Sequence, residues 1–300
     1  MKWGADDGRF LSEIIALAQG QQEKSKALKE LGQAETPQNA HALLLKTGQW
    51  DAFKNPYPMR LGVNSQSADF PLDALPPETR RDLSHLPAFA IDDEGSTDPD
   101  DALSWENGRL WVHIADVAAL APPDSLADLE ARGRGANLYL PERTVTMLPA
   151  AATELLALGL QKRSPALSFS MRVNAAGEVS DLAIVPSWVC VSRLTYEEAE
   201  AKLEQTPFCD LYQAAQAYET RRQANGAIDI DLPEVRIKVD AAGQVSIRPL
   251  LKLRSRDMVR DAMLMTGGGD SPLCLCPRHP PALHCARATS GTAAASPHPF

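Results

Sequence analysis

The sequence predicts a mixed α+β fold: a largely antiparallel sheet with helices packed on it, preceded by a small helical module. Three observations carry this expectation. Two stretches, "ALSFSMRVNAAGEVSDLAIVPSWVCV" and "VRIKVDAAGQVSIRPL", alternate apolar and polar residues on either side of a short turn. That is the mark of a β-hairpin. Other segments carry apolar residues at helical spacing. The 300 residues are 44% hydrophobic, enough to bury a substantial core.

Taken in order, residues 8–32 read as a helix whose apolar stripe is Phe10, Leu11, Ile14, Ile15 and Leu17, with Gly32 as its C-cap. Residues 37–50 read as a second helix opened by Pro37. Together they form a helical module over 1–55, in the pattern of a partial winged helix. A linker over 56–85 lies within a stretch rich in Pro, Asn, Ser and Asp, with a short helix near 77–84. The texture then changes. "AFAID" is strand-like, and "RLWVHIADVAAL" is a longer apolar strand after the turn "ENG". "SLADLEARGRGANLYL" begins as a helix and breaks at Gly133 and Gly135, and "TELLALGL" is helical. "TYEEAEAKLEQ" and residues 210–224 give helices between the two hairpins. "SRDMVRDAMLMTG" is an amphipathic helix. No internal repeat stands out beyond the two similar hairpin turns.

Residues 267–300 have a different texture. They hold Cys274, Cys276 and Cys285, three of the five cysteines, and a cluster of prolines, with no helix or strand period. Cys274, Cys276, His279, His284 and Cys285 can each ligate zinc, but their spacing fits no standard zinc pattern. A disordered tail is one reading. The preferred expectation is a shifted reading frame or a wrong gene end, since GC-rich DNA out of frame yields Pro, Arg, Ala, Cys, His and Ser.

The net charge of −9 differs from that of a strongly basic nucleic-acid binder, yet leaves room for a local basic groove. No apolar run approaches the roughly 20 residues needed to span a bilayer, so no membrane role is expected. The start "MKWGADDGRF" is not a secretory signal. Cys190 and Cys209 are isolated and read as reduced thiols, which makes a cytoplasmic protein the expectation.

The most informative stretch is residues 90–103, "AIDDEGSTDPDDAL", with six acidic side chains between apolar flanks. Gly95 and Pro99 force the chain to turn, which can aim several carboxylates at one point. Clustered carboxylates repel, and an unpaired buried one is costly. A divalent cation removes that cost, and oxygen ligands suit magnesium or manganese. The competing reading is a solvated acidic loop, the usual fate of a charge run. An EF-hand fails, because Ala90 would fall at its first ligand position and the flanks read as strands.

"AIDDEGSTDPDDAL", "LWVHIADVAAL", "NLYLPERTVTMLP", "ALSFSM", "LTYEEAEAKL", "GAIDIDLPEVRIKVD" and "MVRDAMLM" follow one another in a set order. Together they closely resemble the catalytic domain of the ribonuclease II/R (RNB) exoribonucleases, over residues 86–266. The resemblance implies a magnesium-dependent enzyme, with manganese as the alternative, that hydrolyses single-stranded RNA from the 3′ end to 5′-mononucleotides. It implies a cytoplasmic monomer and a partial RNB-type α+β domain. Asp92, Asp98 and Asp101 would hold the metal. Asp100, also at the metal site, would be the residue most important for cleavage, positioning a second metal or the attacking water. Asp93 and Glu94 fall where the family varies and receive no role. Tyr139 matches an aromatic clamp that stacks on a base, and Arg132, Arg134 and Arg143 around it are candidates for RNA phosphates. Asp116 and His113 read as structural. The family's later half carries a block resembling "TSPIRRY" whose arginines hold the RNA phosphate, and nothing like it stands in residues 267–300. The expectation is therefore a truncated or frameshifted enzyme, weakly active or inactive alone, in which the positive half of the site is missing. The alternative is a non-catalytic RNA- or protein-binding remnant.

Overall fold

The computed structural model describes residues 7–230, 232–240 and 244–267. The chain begins with helices α1 (Gly8–Ala18), α2 (Lys26–Glu30), α3 (Pro37–Lys46) and α4 (Tyr57–Arg60). Strands β1 (Arg81–Asp82), β2 (Ala88–Asp92), β3 (Asp101–Glu106) and β4 (Arg109–Ala115) follow. Next come α5 (Val117–Leu120), α6 (Leu126–Arg134), β5 (Leu138–Tyr139), β6 (Thr144–Val145) and α7 (Ala150–Leu156). Strands β7 (Ser164–Val173), β8 (Val179–Val189) and β9 (Val191–Thr195) lead into α8 (Tyr196–Glu200) and α9 (Phe208–Ala224). The described chain ends with β10 (Val235–Val239), β11 (Val245–Pro249) and α10 (Arg254–Gly267). The tail with Cys274, Cys276, His279, His284 and Cys285 lies outside the described residues, and so does the tip of the second hairpin at 241–243.

Two compact units emerge. Among the described residues, one comprises those up to Leu72, Leu126–Ala150 and those within Leu232–Leu250; the other comprises Asp73–Ser125, those within Ala151–Asp231, and those from Leu251 to Gly267.

In the first unit, Ile14, Leu17, Leu28, Ala40, Leu43 and Leu44 form a small core. The single helix expected over 8–32 is two helices. Gly20 takes φ +73°, and the Gln21 amide bonds back to the Ala16 carbonyl at 2.8 Å, closing α1. Ser25 then caps α2 by accepting from the Leu28 amide. Gly32 closes α2 rather than a long helix, with φ +68°. Pro37 opens α3 behind the Thr36 cap as expected. In α6, Gly133 sits inside the helix, and the break falls at Gly135, whose φ is +77°. A lone glycine costs a helix roughly 1 kcal/mol, too little to end it.

The second unit is built on a seven-stranded sheet in the order β1-β8-β7-β4-β3-β2-β9. The five inner strands are antiparallel, and β1 and β9 add parallel to the two edges. Helices α8, α9 and α10 cover one face, where Ile91, Leu103, Val112, Phe169 and Met171 meet Phe208, Leu211, Met258 and Ala262. No helix forms at 77–84: Arg81 and Asp82 pair with Ser187 and Trp188 at the sheet edge. Arg80 and Arg163 stack on Trp188, and Arg81 on Trp111. Those contacts outweigh the weak helical spacing. The strand expected over "RLWVHIADVAAL" ends at Ala115, and residues 117–120 turn into α5.

The sheet also buries polar groups. His113 of β4 is fully shielded, with Nε2 2.9 Å from Ser104 Oγ and Nδ1 2.7 Å from Ser168 Oγ. Ser168 Oγ in turn lies 2.5 Å from Ser187 Oγ. Each ring nitrogen has a partner, which is what permits an imidazole to be buried. Asp116 pairs with Arg80 at 2.7 Å.

Candidate active site

The acidic run connects two adjacent antiparallel strands. Asp92 ends β2 and Asp101 begins β3, while Phe89 and Leu103 hold the strands in register. Between them the backbone must reverse, and Gly95 does so at φ +78°. The loop is tied down at several points. The Asp92 carboxylate accepts from the Asp93 amide at 3.0 Å and from the Ser96 hydroxyl at 2.6 Å. The Pro99 carbonyl accepts from the Leu158 amide and the Asp100 carbonyl from the Ala115 amide, each at 2.8 Å. The Thr97 hydroxyl lies 3.4 Å from Asp98 Oδ1.

These carboxylates feel one another. Burial, followed by the charges of Asp100 and Asp92, pushes Asp101 up to about 7. Asp100 is exposed as a residue, yet the protein around its carboxyl removes enough water for burial to raise it. Asp92 and Asp98 add to that rise, and its own backbone amide opposes it. Asp92, Asp98, Asp100 and Asp101 thus share one electrostatic neighbourhood. Among the described residues, no three His, Cys, Asp or Glu side chains are gathered as a ready-made cation cage. The donor set still fits a hard divalent ion. It is carboxylate oxygen throughout, and the repulsion that lifts Asp100 and Asp101 is what a cation would offset.

Three neighbours of the loop were not legible as site residues in the sequence. The parallel β2–β9 register sets Asp92 opposite Thr195. Thr195 then caps α8 in a capping box with Glu198. Tyr196 therefore starts its helix beside the carboxylates. Burial, then Asp101 and Asp92, push its phenol up to about 12. Arg193 of β9 donates to the Ser96 carbonyl. Arg256 of α10 pairs with Asp93 and stacks 4.0 Å from the centroid of the Tyr196 ring. Asp93, given no role from the sequence, thus has a specific partner. Two positive groups, Arg193 and Arg256, thus bond to the loop itself. The only sequence signals were "LTYEEAEAKL" and a basic start to the last helix.

Tyr139, Arg132, Arg134 and Arg143 belong to the first unit. Tyr139 lies on the β5–β6 hairpin, opposite Thr144, and is 68% exposed. Arg132 pairs with Asp128 at 2.8 Å and keeps a largely exposed side chain. Arg143 donates to the Ser65 carbonyl at 2.8 Å. Arg134 is taken up within the unit, by Glu130 at 2.8 Å and the Gln66 carbonyl at 2.6 Å, with its side chain only 12% exposed.

The RNB domain family matches residues 80–268, and a double HTH domain family described for RNase II matches residues 1–56. A protein of Synechocystis sp. described as an uncharacterized ribonuclease is 33% identical over 278 residues, covering 85% of this chain and 41% of the relative. Among solved structures, the Dss1 exoribonuclease active-site mutant of Candida glabrata superposes with a TM-score of 0.73 at 18% identity. That match covers 87% of this chain and 42% of the other. Mycoplasma genitalium RNase R in complex with ribose-methylated single-stranded RNA superposes with a TM-score of 0.59 at 22% identity, covering 65% and 33%. The chain spans less than half the length of each of these proteins.

Proposed function

This chain belongs to the RNB family, and from that premise we propose that it carries the acidic half of a 3′→5′ exoribonuclease site acting on single-stranded RNA. The observation that supports the reading most is the shared neighbourhood of Asp92, Asp98, Asp100 and Asp101. They lie on one loop between β2 and β3, with Asp100 and Asp101 both raised by burial and by their neighbours. Such a concentration of mutually repelling carboxylates on one turn fits a cation-dependent hydrolase.

In the reaction, a water oxygen bonds to phosphorus while the P–O3′ bond breaks. The last nucleotide leaves with a 5′-phosphate and the shortened strand keeps a 3′-hydroxyl. Asp92, Asp98 and Asp101 would hold magnesium, or manganese in its place, and when bound the ion activates the water and steadies the departing oxygen. Asp100, the most accessible of the four, orients that water by accepting a hydrogen bond at its carboxylate. Tyr139 offers an open ring for a base, and stacking of this kind is typically worth about 1–3 kcal/mol. Arg132 and Arg143 are the arginines we assign to RNA phosphates, while Arg134 is taken up by Glu130 and the Gln66 carbonyl. Among the described residues no helix is long and apolar enough to cross a membrane. We take the setting to be cytoplasmic and the chain to be a monomer. The division into 1–55, 56–85, 86–266 and 267–300 is part of the same proposal.

Release of labelled mononucleotides from a 3′-tailed RNA in magnesium tests this reading. Release that vanishes in Asp100→Asn supports it. A chain that binds RNA without releasing nucleotides favours the second reading, a non-catalytic RNA- or protein-binding remnant. What favours that second reading is that no carboxylate trio among the described residues is gathered for a cation.

A further inference from the structure

Asp93 lies next to the first of the four proposed metal-site aspartates, and its Oδ1 accepts from Nη2 of Arg256, 163 residues further along the chain. The two side chains are 24% and 25% exposed, so the pair is half-buried. The same guanidinium lies over the Tyr196 ring. Arg256 is held from its own side as well. It stands in the first turn of α10, where Met258, Val259, Ala262 and Met265 are buried in the core against α8 and α9. The neighbouring Ser255 donates through its hydroxyl to the Tyr196 carbonyl at 2.8 Å and through its amide to Glu200 at 2.9 Å. The guanidinium is therefore placed by the helix layer, not by the loop. A side chain fixed by the core and bonded to a loop carboxylate passes the core's rigidity to that loop.

We propose that Arg256 is a positioning residue for the acidic loop. By pinning Asp93 it sets the course of the turn that follows, and so the direction in which Asp92 presents its carboxylate to a divalent cation. The inference rests on the cation-dependent reading of the site. It also has a sign of its own. A guanidinium acting only through its charge repels a nearby cation, so its removal would tighten cation binding. A positioning guanidinium does the reverse, and its removal weakens binding.

Binding of Mn²⁺ to the 300-residue chain, followed by the electron paramagnetic resonance of the free ion, separates the two. Arg256→Gln is expected to weaken Mn²⁺ binding roughly tenfold or more, the usual cost of losing a residue that orients a metal ligand. Arg256→Lys keeps the charge but loses the planar stacking surface, and should recover only part of the affinity. Asp93→Asn should weaken binding too, and the double variant Asp93→Asn/Arg256→Gln should be no weaker than the worse single one, since both break one contact. Thermal melts without metal show that each variant is folded, and Arg256→Lys carries the test if the glutamine variant is not. Unchanged or tighter Mn²⁺ binding in Arg256→Gln overturns the proposal, and so do losses that add in the double variant. A wild-type chain that binds no Mn²⁺ overturns it together with the cation reading. A chain that binds Mn²⁺, loses it in Arg256→Gln and yet releases no nucleotides overturns only the hydrolytic reading.

Discussion

Asp92 and Thr195 stand opposite each other in the parallel ladder of β2 and β9. That one register joins the acidic loop to the start of α8, because Thr195 ends its strand and caps the helix at once. Tyr196 is the next residue, and through its ring Arg256 is drawn into the same neighbourhood. Four expectations follow from this arrangement and from the sheet that supports it.

Asp101 is held at about 7, against an ordinary value of 3.8, mainly by burial and then by Asp100 and Asp92. An acid whose folded value is raised favours folding while protonated, and its contribution is lost as pH climbs from about 4 to 7. Above pH 7 the full cost is present. Asp101→Asn should therefore raise the stability of the metal-free chain at pH 8, by about 1–3 kcal/mol once residual solvent screening is allowed for. Urea unfolding of both proteins at pH 8 and pH 4 checks this, and the gain should shrink at pH 4. The same substitution should lower the affinity for Mn²⁺.

His113 works in the opposite sense. Burial depresses its imidazole from 6.5 to about 4, so the unfolded chain takes up a proton first. Its contribution is complete above pH 6.5 and is lost as pH falls toward 4. The total loss is about 3 kcal/mol. Because Asp101 and His113 oppose each other in this window, the effect is best read in the Asp101→Asn background. There, stability should fall from pH 7 to pH 4.5, and His113→Gln should flatten the fall while lowering stability at pH 7.

Gly177 turns the β7–β8 hairpin at φ +72°, and a Cβ there would lie 2.2 Å from the Ala217 carbonyl oxygen of α9. Neither a backbone oxygen nor the left-handed conformation can yield cheaply. Gly177→Ala should cost about 2–4 kcal/mol. A lower denaturation midpoint with an unchanged urea slope would show it.

Asp261 on α10 is 1% exposed and carries two arginines: Arg222 of α9, with its Nε at 3.0 Å, and Arg260, with its Nη2 at 2.8 Å. Removing the carboxylate takes a counter-charge from two partly exposed guanidinium groups, of which Arg260 keeps Glu219 and Asp257 as partners. Asp261→Ala is expected to cost about 1–3 kcal/mol. Since α10 also carries Arg256, the variant should lose Mn²⁺ affinity before it unfolds, which titration below its melting temperature can measure.

Much of this molecule is legible one residue at a time. Alternation across "NAAGE" marks β7 and β8 because a strand shows its two faces at period two. "ENG" gives the β3–β4 turn, where Asn107 and Gly108 take φ of 51° and 72°. The acidic loop stands out because six acids, a glycine and a proline between apolar strands have few structural uses. The misses have a common cause. The break at Gly20 depended on a capping bond to Ala16, and β1 depended on the edge of β8 and its tryptophan. Neither feature has a local period to read.

The order of hairpins and helices, the family blocks and the four candidate carboxylates are properties of neighbouring residues, and the sequence by itself determined them. Which groups surround those carboxylates was decided only by the tertiary structure. Arg256 reaches Asp93 across 163 residues, and Tyr196 reaches the loop through a parallel pairing at the sheet edge. Such contacts arise when burial of Ile91, Leu103, Met258 and Val259 in one core brings distant segments together. The pairing of charges is then set by how those segments pack, which no spacing along the chain encodes.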